Sequence, residues 1–161
     1  MATRLRLIQT YFLHAAYLTP DKLHRAGLRS SAECTRCGSP TADFFHMVWA
    51  CPIIAAYWGA VVQEISGVLQ EEVERLPVPL LLGVMGDIGL RRSDRTFLGV
   101  ACLVAKRDIM TEWKAKNAPT LTKWRRGVDW CAQREKLIYE ARGCLNKHNK
   151  IWGRWEGTAG F

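Results

Sequence analysis

Cys34, Cys37, His46 and Cys51 fall within eighteen residues in the order Cys, two residues, Cys, eight residues, His, four residues, Cys. Thiolate sulfur and neutral imidazole nitrogen are ligands that zinc prefers, and a structural zinc takes four in a tetrahedron. Two cysteines separated by two residues can aim both sulfurs at one ion from a tight turn, and Gly38, directly after the pair, permits that turn. His46 and Cys51 then close the shell, leaving no position for the water a catalytic zinc requires. A redox pair would use only Cys34 and Cys37 and leave the other two without a role. A chance set of core cysteines with a hydrogen-bonded histidine is the remaining alternative. The spacing favours one structural Zn2+ held by Cys34, Cys37, His46 and Cys51. Cys102, Cys131 and Cys144 stand alone on predicted helices and are expected as small buried hydrophobes.

The second ligand pair constrains the elements that carry it. Residues five apart on a straight α-helix are rotated by about 500°, a net offset of roughly 140°, so one continuous helix cannot supply both His46 and Cys51. The Cys51-Pro52 step suggests the solution, because proline is favoured at the first position of a helix. Cys51 is expected at the cap of a helix over 54–69, where the helix N-terminus favours its thiolate. His46 is expected from a short preceding helix built on Phe44, Phe45, Val48 and Trp49. Ile54, Tyr57, Trp58, Val61, Ile65, Val68 and Leu69 repeat at three and four residues and mark the inner face of the 54–69 helix, with Gln63 and Glu64 opposite.

Helical periodicity dominates elsewhere too, and strand signals are scarce. Leu5, Ile8, Phe12, Ala15 and Ala16 mark a first amphipathic segment that stops near Thr19-Pro20, followed by a short helix over 21–26 ended by Gly27. Residues 76–89 hold two prolines and three glycines around Leu80 to Leu82 and read as a buried irregular connector. Ser93 is the expected N-cap of a long helix, with Leu98, Ala101, Cys102, Ala105, Ile109 and Trp113 facing inward and Lys106, Arg107 and Lys114 outward. A further helix starts near Thr120 with Trp124, Val128, Cys131 and Ile138 on its stripe, weakened by Gly127. Order is expected nearly throughout, apart from the tail after Trp155. The fold class predicted is mainly α: a small helical bundle with one closed Cys-Cys-His-Cys zinc site. Its regions are 1–75 (zinc-binding), 76–92 (connector) and 93–161 (basic, packed on the first).

A chain of 161 residues with 48% hydrophobic composition can bury a core without disulfides. The longest apolar runs, such as Leu98 to Ala105, fall well short of the ~20 residues that cross a bilayer. Gln9, Thr10 and His14 interrupt any secretory h-region, so an intracellular location, nuclear or cytoplasmic, and no membrane partner are expected. The net charge of +8 is uneven: residues 1–38 carry six Lys or Arg against two acids, residues 39–86 one against five, and residues 87–161 sixteen against eight. Basic flanks around an acidic middle point to a polyanionic partner, above all nucleic acid (RNA or DNA). The alternative is a solvated basic surface.

Cations that neutralise phosphates, interleaved with aromatics that stack on unpaired bases, are the composition such a partner needs. His24, Arg25, Arg29 and Arg36, beside the cysteine loop, form the first candidate contact set; Lys106, Arg107 and Lys114 form the second. Lys123, Arg125 and Arg126 surround Trp124 and extend it. Trp49, Trp58 and Trp113 lie on apolar faces and are expected in the core, whereas Trp152 and Trp155 either stack on bases or pin the tail to the bundle. With no sequence-reading helix evident, binding is expected to be phosphate-dominated and tolerant of sequence.

The run Tyr17-Leu18-Thr19-Pro20-Asp21-Lys22-Leu23-His24, then Cys34-Thr35-Arg36-Cys37-Gly38, then Phe45-His46-Met47-Val48-Trp49-Ala50-Cys51-Pro52 with Tyr57-Trp58, resembles the zinc-binding region that follows the polymerase in LINE-type, non-long-terminal-repeat retrotransposon proteins. Looser matches continue through Pro79 to Gly83, Ala105 to Ile109 with Trp113, Pro119-Thr120 with Trp124, and Lys150 to Trp155. The resemblance implies zinc on Cys34, Cys37, His46 and Cys51 and a basic surface for element RNA or target DNA. It does not carry polymerase catalysis, which needs clustered carboxylates holding two magnesium ions; the acids here are scattered. The gap between Cys37 and His46 is longer than in retroviral zinc knuckles. The expected function is a non-enzymatic, zinc-binding, nucleic-acid-binding module of retroelement origin. The alternatives are a helical protein-interaction unit, in which the acidic 70–74 run serves docking or self-association, and a relic without selected activity.

Overall fold

In the computed structural model, which describes residues 3–86 and 88–158, the periodic apolar segments are helices and no strand occurs among the described residues. In chain order they are α1 (Thr3–Leu13), α2 (Pro20–Arg25), α3 (Pro52–Leu69), α4 (Arg92–Thr111), α5 (Leu121–Ala141) and α6 (Leu145–Thr158), with single π-helical turns at His46–Ala50 and Val78–Leu82. Local chemistry sets several boundaries. Thr19 caps α2 by accepting the Lys22 N–H at 3.1 Å, with Pro20 in the first turn. Thr120 caps α5 in the same way through Lys123 N–H. α4 starts after Arg91 rather than after Ser93, whose hydroxyl is directed at the Asp94 carboxylate and not at a free backbone N–H.

α4 is the axis of the bundle and packs against α1, α3, α5 and α6. Leu98, Ala101, Cys102, Val104, Ala105 and Ile109 are buried on several sides of it, as a helix surrounded by others requires. That enclosure corrects one expectation: Lys106 does not face outward. It is 1% exposed, and its Nζ donates to Gln9 Oε1 on α1 and to Leu81 O on the connector. The connector is buried as expected, through Pro79, Leu80 and Leu81, but as a π-helical turn ended by Gly83 at φ +77°. One hydrophobic core runs across it from Leu5 to Trp155.

α3 lies inside this core with Ile54, Trp58, Val61 and Ile65 fully buried. At 18 residues and mean hydropathy 1.3 it is long and apolar enough to cross a membrane by length and composition alone, which the count of uninterrupted apolar runs did not anticipate. The core helix of a water-exposed bundle meets the same criterion.

The tryptophans are the core's largest pieces. Trp58, Trp124 and Trp152 are fully buried and Trp155 nearly so. Each buried indole N–H has an acceptor: Val48 O, Ala101 O, the Glu135 carboxylate and the Asp129 carboxylate respectively. Phe97 packs edge-on to Trp152 at 5.6 Å and tilted on Trp155 at 5.9 Å. Of the two roles open for Trp152 and Trp155, the structure has them pinning α6 to the bundle. α6 continues to Thr158, past the point where the tail was expected to loosen; residues 159–161 lie outside the described residues. Trp113 is only half-buried, against Tyr17 and Phe44. Ile138 is exposed, because the buried stripe of α5 stops at Ala132. Cys102 and Cys131 are buried as expected, and Cys144 half-buried.

Gly127 has a packing reason to interrupt the α5 stripe. A Cβ there would lie 2.3 Å from Arg107 Nη2 and 2.7 Å from Val104 Cγ1. Alanine is the better helix former by about 1 kcal/mol, yet overpacking of this kind costs about 1–3 kcal/mol. Gly127→Ala is therefore expected to lower the melting temperature, and a rise would mean the α4–α5 contact yields without cost. Lys106 generates a second prediction. Burial pulls its pKa down to about 8, opposed by Cys102, while an unfolded lysine stays near 10.5. Between those values the unfolded chain binds more protons, so this residue's contribution makes stability rise with pH. Buried thiols whose pKa is raised, such as Cys102 and Cys131, act in the opposite sense, so the test is a difference: across that window denaturant titrations should show the wild type gaining about 3 kcal/mol relative to Lys106→Met.

Candidate metal centre

The first ligand pair sits in a turn closed by Gly38 N–H donating to Cys34 O at 2.9 Å and Cys34 N–H donating to Ser39 O at 2.8 Å. Gly38 adopts φ +73°, the left-handed region that a side chain would strain. Asp43 Oδ1 then accepts the His46 N–H at 2.7 Å and starts the next helical turn. That turn is where the five-residue spacing is resolved. Cys51 N–H donates to His46 O at 2.8 Å, so the ring closes from i to i+5 as in a π-helix. Residues five apart thereby come to one side, which a straight α-helix forbids. Cys51 is also the N-cap of α3, with Pro52 at its first position, as expected.

These elements bring Cys34, Cys37, His46 and Cys51 together, with their ligand atoms all within 4.8 Å of one another. A tetrahedral zinc separates its ligands by about 3.8 Å (sulfur to sulfur) and about 3.5 Å (sulfur to nitrogen). Cys34 Sγ to Cys51 Sγ is 4.0 Å and Cys37 Sγ to His46 Nε2 is 3.3 Å. The four side chains could hold a metal ion, and the donor set and spacing are consistent with zinc. Cys34 and Cys51 are buried, Cys37 and His46 half-buried.

The electrostatics of the metal-free thiols differ by position. Burial pushes Cys34 up, but the backbone N–H groups of Cys37 and Arg36, together with the Cys37 and Cys51 thiols, hold it below its ordinary value. Burial dominates at Cys51 and raises it to about 11, against the opposing N–H groups of Ile54 and Ile53. A bound divalent cation would deprotonate all three cysteines. Three thiolates and one divalent ion leave a net charge of −1, and Arg36 lies against it.

Arg36 was expected to contact phosphate; it is instead 8% exposed and belongs to the fold. Its Nη1 donates to Met47 O at 3.2 Å, and its Nη2 to Glu112 O and Trp113 O at 3.1 and 3.3 Å. The guanidinium thus staples the cysteine loop to the C-terminal end of α4. Burial lowers its pKa, while the sulfurs of Cys51, Cys34 and Cys37 and the Glu112 carboxylate act to raise it.

The remaining candidate contacts divide by what they touch. His24 is exposed, with Nδ1 against Arg29 O; Arg29 is half-buried and donates to Glu33 O; Arg25 is exposed and paired with Asp21 at 3.0 Å. Lys114 and Arg126 are exposed. Arg125 pairs with Glu64 at 2.6 Å, Arg107 with Asp108 at 2.9 Å and Lys123 with Glu112 at 2.6 Å. Arg107, Lys123 and Arg126 line one cleft, which Trp130 also lines. Trp130 was not singled out in the sequence, although it stands off the apolar stripe that Trp124, Val128 and Cys131 define.

No family model matches the chain, and no curated protein matches it significantly.

One metal ion per chain is the expected content of protein purified under reducing conditions. Chelation should lower the melting temperature, since binding energy here is folding energy. His46→Ala should lose most of the metal. Arg36→Gln should destabilise the holoprotein by about 2–4 kcal/mol, because one buried and two part-buried carbonyls lose a charged donor; full stability in that variant would remove its role as the staple.

Proposed function

We propose that the chain is a non-enzymatic nucleic-acid-binding module whose fold is organised by one structural zinc on Cys34, Cys37, His46 and Cys51. The observation that carries this reading is the charge left outside after folding. With Arg36 and Lys106 taken inward, exposed or partly exposed basic side chains still flank the metal loop, at His24, Arg25 and Arg29, and continue through α4, the following loop and α5 at Arg107, Lys114, Lys123, Arg125 and Arg126. Arg25, Arg107, Lys123 and Arg125 are paired with acids, while Arg29, Lys114 and Arg126 have no ion pair among the described residues, and that excess of positive charge supports phosphate-dominated binding. The resemblance to the zinc-binding region of LINE-type retrotransposon proteins supports the same reading and suggests the element's own RNA or its target DNA as ligand. Four protein ligands leave the metal no position for a reacting water, which argues for a structural role.

A second reading is favoured by a different surface. Leu76, Val78 and Val84 are exposed beside a groove that Glu72 and Glu74 also line, an apolar patch with an acidic margin of the kind a protein partner covers.

A salt titration separates the two. Binding of single strands, hairpins and duplex measured by fluorescence anisotropy should weaken linearly on a log–log plot against salt, with a slope reporting several released counterions. No binding to any of these at low salt would transfer the function to the apolar groove. The isolated chain should neither extend primers nor cut nucleic acid, and magnesium-dependent turnover that survives repurification would overturn the non-enzymatic assignment.

A further inference from the structure

The cleft between α1, the end of α4 and the start of α5 has a volume of about 480 Å³, within the range of small-ligand sites. Arg107, Thr122, Lys123, Arg126, Gly127 and Trp130 line it, with Leu5 as its apolar floor. Three cations and an indole therefore converge on one concavity. Trp130 is 47% exposed, unlike the buried Trp58, Trp124, Trp152 and Trp155. The Arg134 guanidinium lies 5.1 Å from its ring centroid, a cation–π contact.

The cations are braced without being used up. Arg107 directs Nε and Nη2 at Asp108 Oδ1, at 3.1 and 2.9 Å, which leaves Nη1 free of that carboxylate. The missing side chain at Gly127 is what lets this guanidinium lie against α5. Lys123 gives two of its three N–H donors to Thr111 Oγ1 and Glu112 Oε1. Arg126 is exposed and its side chain makes no ion pair or hydrogen bond among the described residues, so its charge is uncompensated. Asp108 and Glu112 offset the first two charges, and Arg126 tips the cleft positive.

We infer that this cleft grips an unpaired nucleotide of a single strand, with Arg126, Lys123 and Arg107 on phosphate and Trp130 stacked on the base. The inference rests on the nucleic-acid reading and narrows it to single-stranded ligand. Cations alone would serve a duplex equally well. An exposed indole beside them serves only a base that has left its stack. An acidic peptide would satisfy the cations and leave the indole without a partner.

The test compares a uniform oligothymidylate strand, the equivalent uridylate strand and a DNA duplex of the same length, for the metal-loaded wild-type chain, Trp130→Ala, Trp130→Phe and Arg126→Gln. Both mutated side chains are exposed, and circular dichroism with metal analysis checks that each variant is folded. Trp130→Ala should lose about tenfold in affinity for the strands and little for the duplex, with Trp130→Phe recovering most of the loss. Arg126→Gln should reduce the salt slope by about one. If Trp130→Ala binds strands like the wild type, the cleft inference fails while the nucleic-acid reading stands. If the wild type binds none of the three at low salt, that reading fails as well. Polyglutamate binding that Arg126→Gln abolishes, with no strand binding, would assign the cleft to acidic protein instead.

Discussion

Everything near the candidate site depends on bringing four ligand atoms, drawn from eighteen residues, to one point. The Cys34–Cys37 turn can face an ion by itself, but His46 and Cys51 cannot meet on an α-helix. A π-helical turn is the local solution, and it fixes more than the ligands. Because Cys51 is at once the last ligand and the cap of α3, the ligand shell sets where α3 begins. Trp58, one and a half turns along, donates its indole N–H back to Val48 O inside the π turn. The centre and the core helix are thus built as one piece. A π turn makes poorer hydrogen bonds than an α turn, which is why such turns persist mainly where a site needs them.

Charge in this chain has two destinations, and sorting them changes what its basic character means. Arg36 and Lys106 lie inside: Arg36 donates to the backbone carbonyls of Met47, Glu112 and Trp113 with its Nε left without a partner, and Lys106 donates to Leu81 O and the Gln9 side chain. Those carbonyls need donors wherever a π turn or the last turn of α4 is covered by another element. A long cation supplies several donors from one stem, and its apolar stem packs where the head alone would not. Burial still opposes the charge, as the lowered pKa values of both residues register. The net charge therefore overstates the cation density available to a ligand on the cysteine loop, where Arg36 is withdrawn, and describes α5 better.

Helices α1 to α5, the ligand set and the core stripe of α3 were legible in the sequence because each leaves a periodic or spaced signature in neighbouring residues; α6, whose basic residues and glycines break its apolar stripe, was not among them. What was not legible came from tertiary enclosure. Lys106 sits at a spacing that reads as outward on an isolated helix, and only the covering of α4 by α1 and the connector turns that position inward. Gly127 weakens a helical pattern in one dimension and explains itself only when Arg107 of another helix is seen crossing it. α4 starts after Arg91, which makes no side-chain cap bond, so its true start carries no capping signature for the sequence to show. Trp130 stands off the stripe that Trp124, Val128 and Cys131 define, and a single exposed aromatic leaves no periodic signature.

Glu112 joins the two sites. Its backbone carbonyl accepts Arg36 from the metal loop, and its carboxylate accepts Lys123 from the cleft. The last turn of α4 is therefore held from one side by the ligand shell and in turn holds a cation on the other side. A structural metal remote from a binding surface can still set that surface's geometry if a rigid element connects them, and here the connection is a single residue at a helix end. The loop that positions Arg36 is ordered from both sides of the shell: Asp21 N–H donates to Ala42 O, Ala42 N–H donates to Ala32 O, and Phe44 packs against Phe12 and Trp113. Loss of Arg36 from Glu112 O would free that end of α4, and with it the carboxylate that orients Lys123. Coupling of this kind needs no conformational switch. It follows from the shared residue, and a metal held by the four side chains would bear on the cleft through Arg36 and Glu112 as well as on the loop.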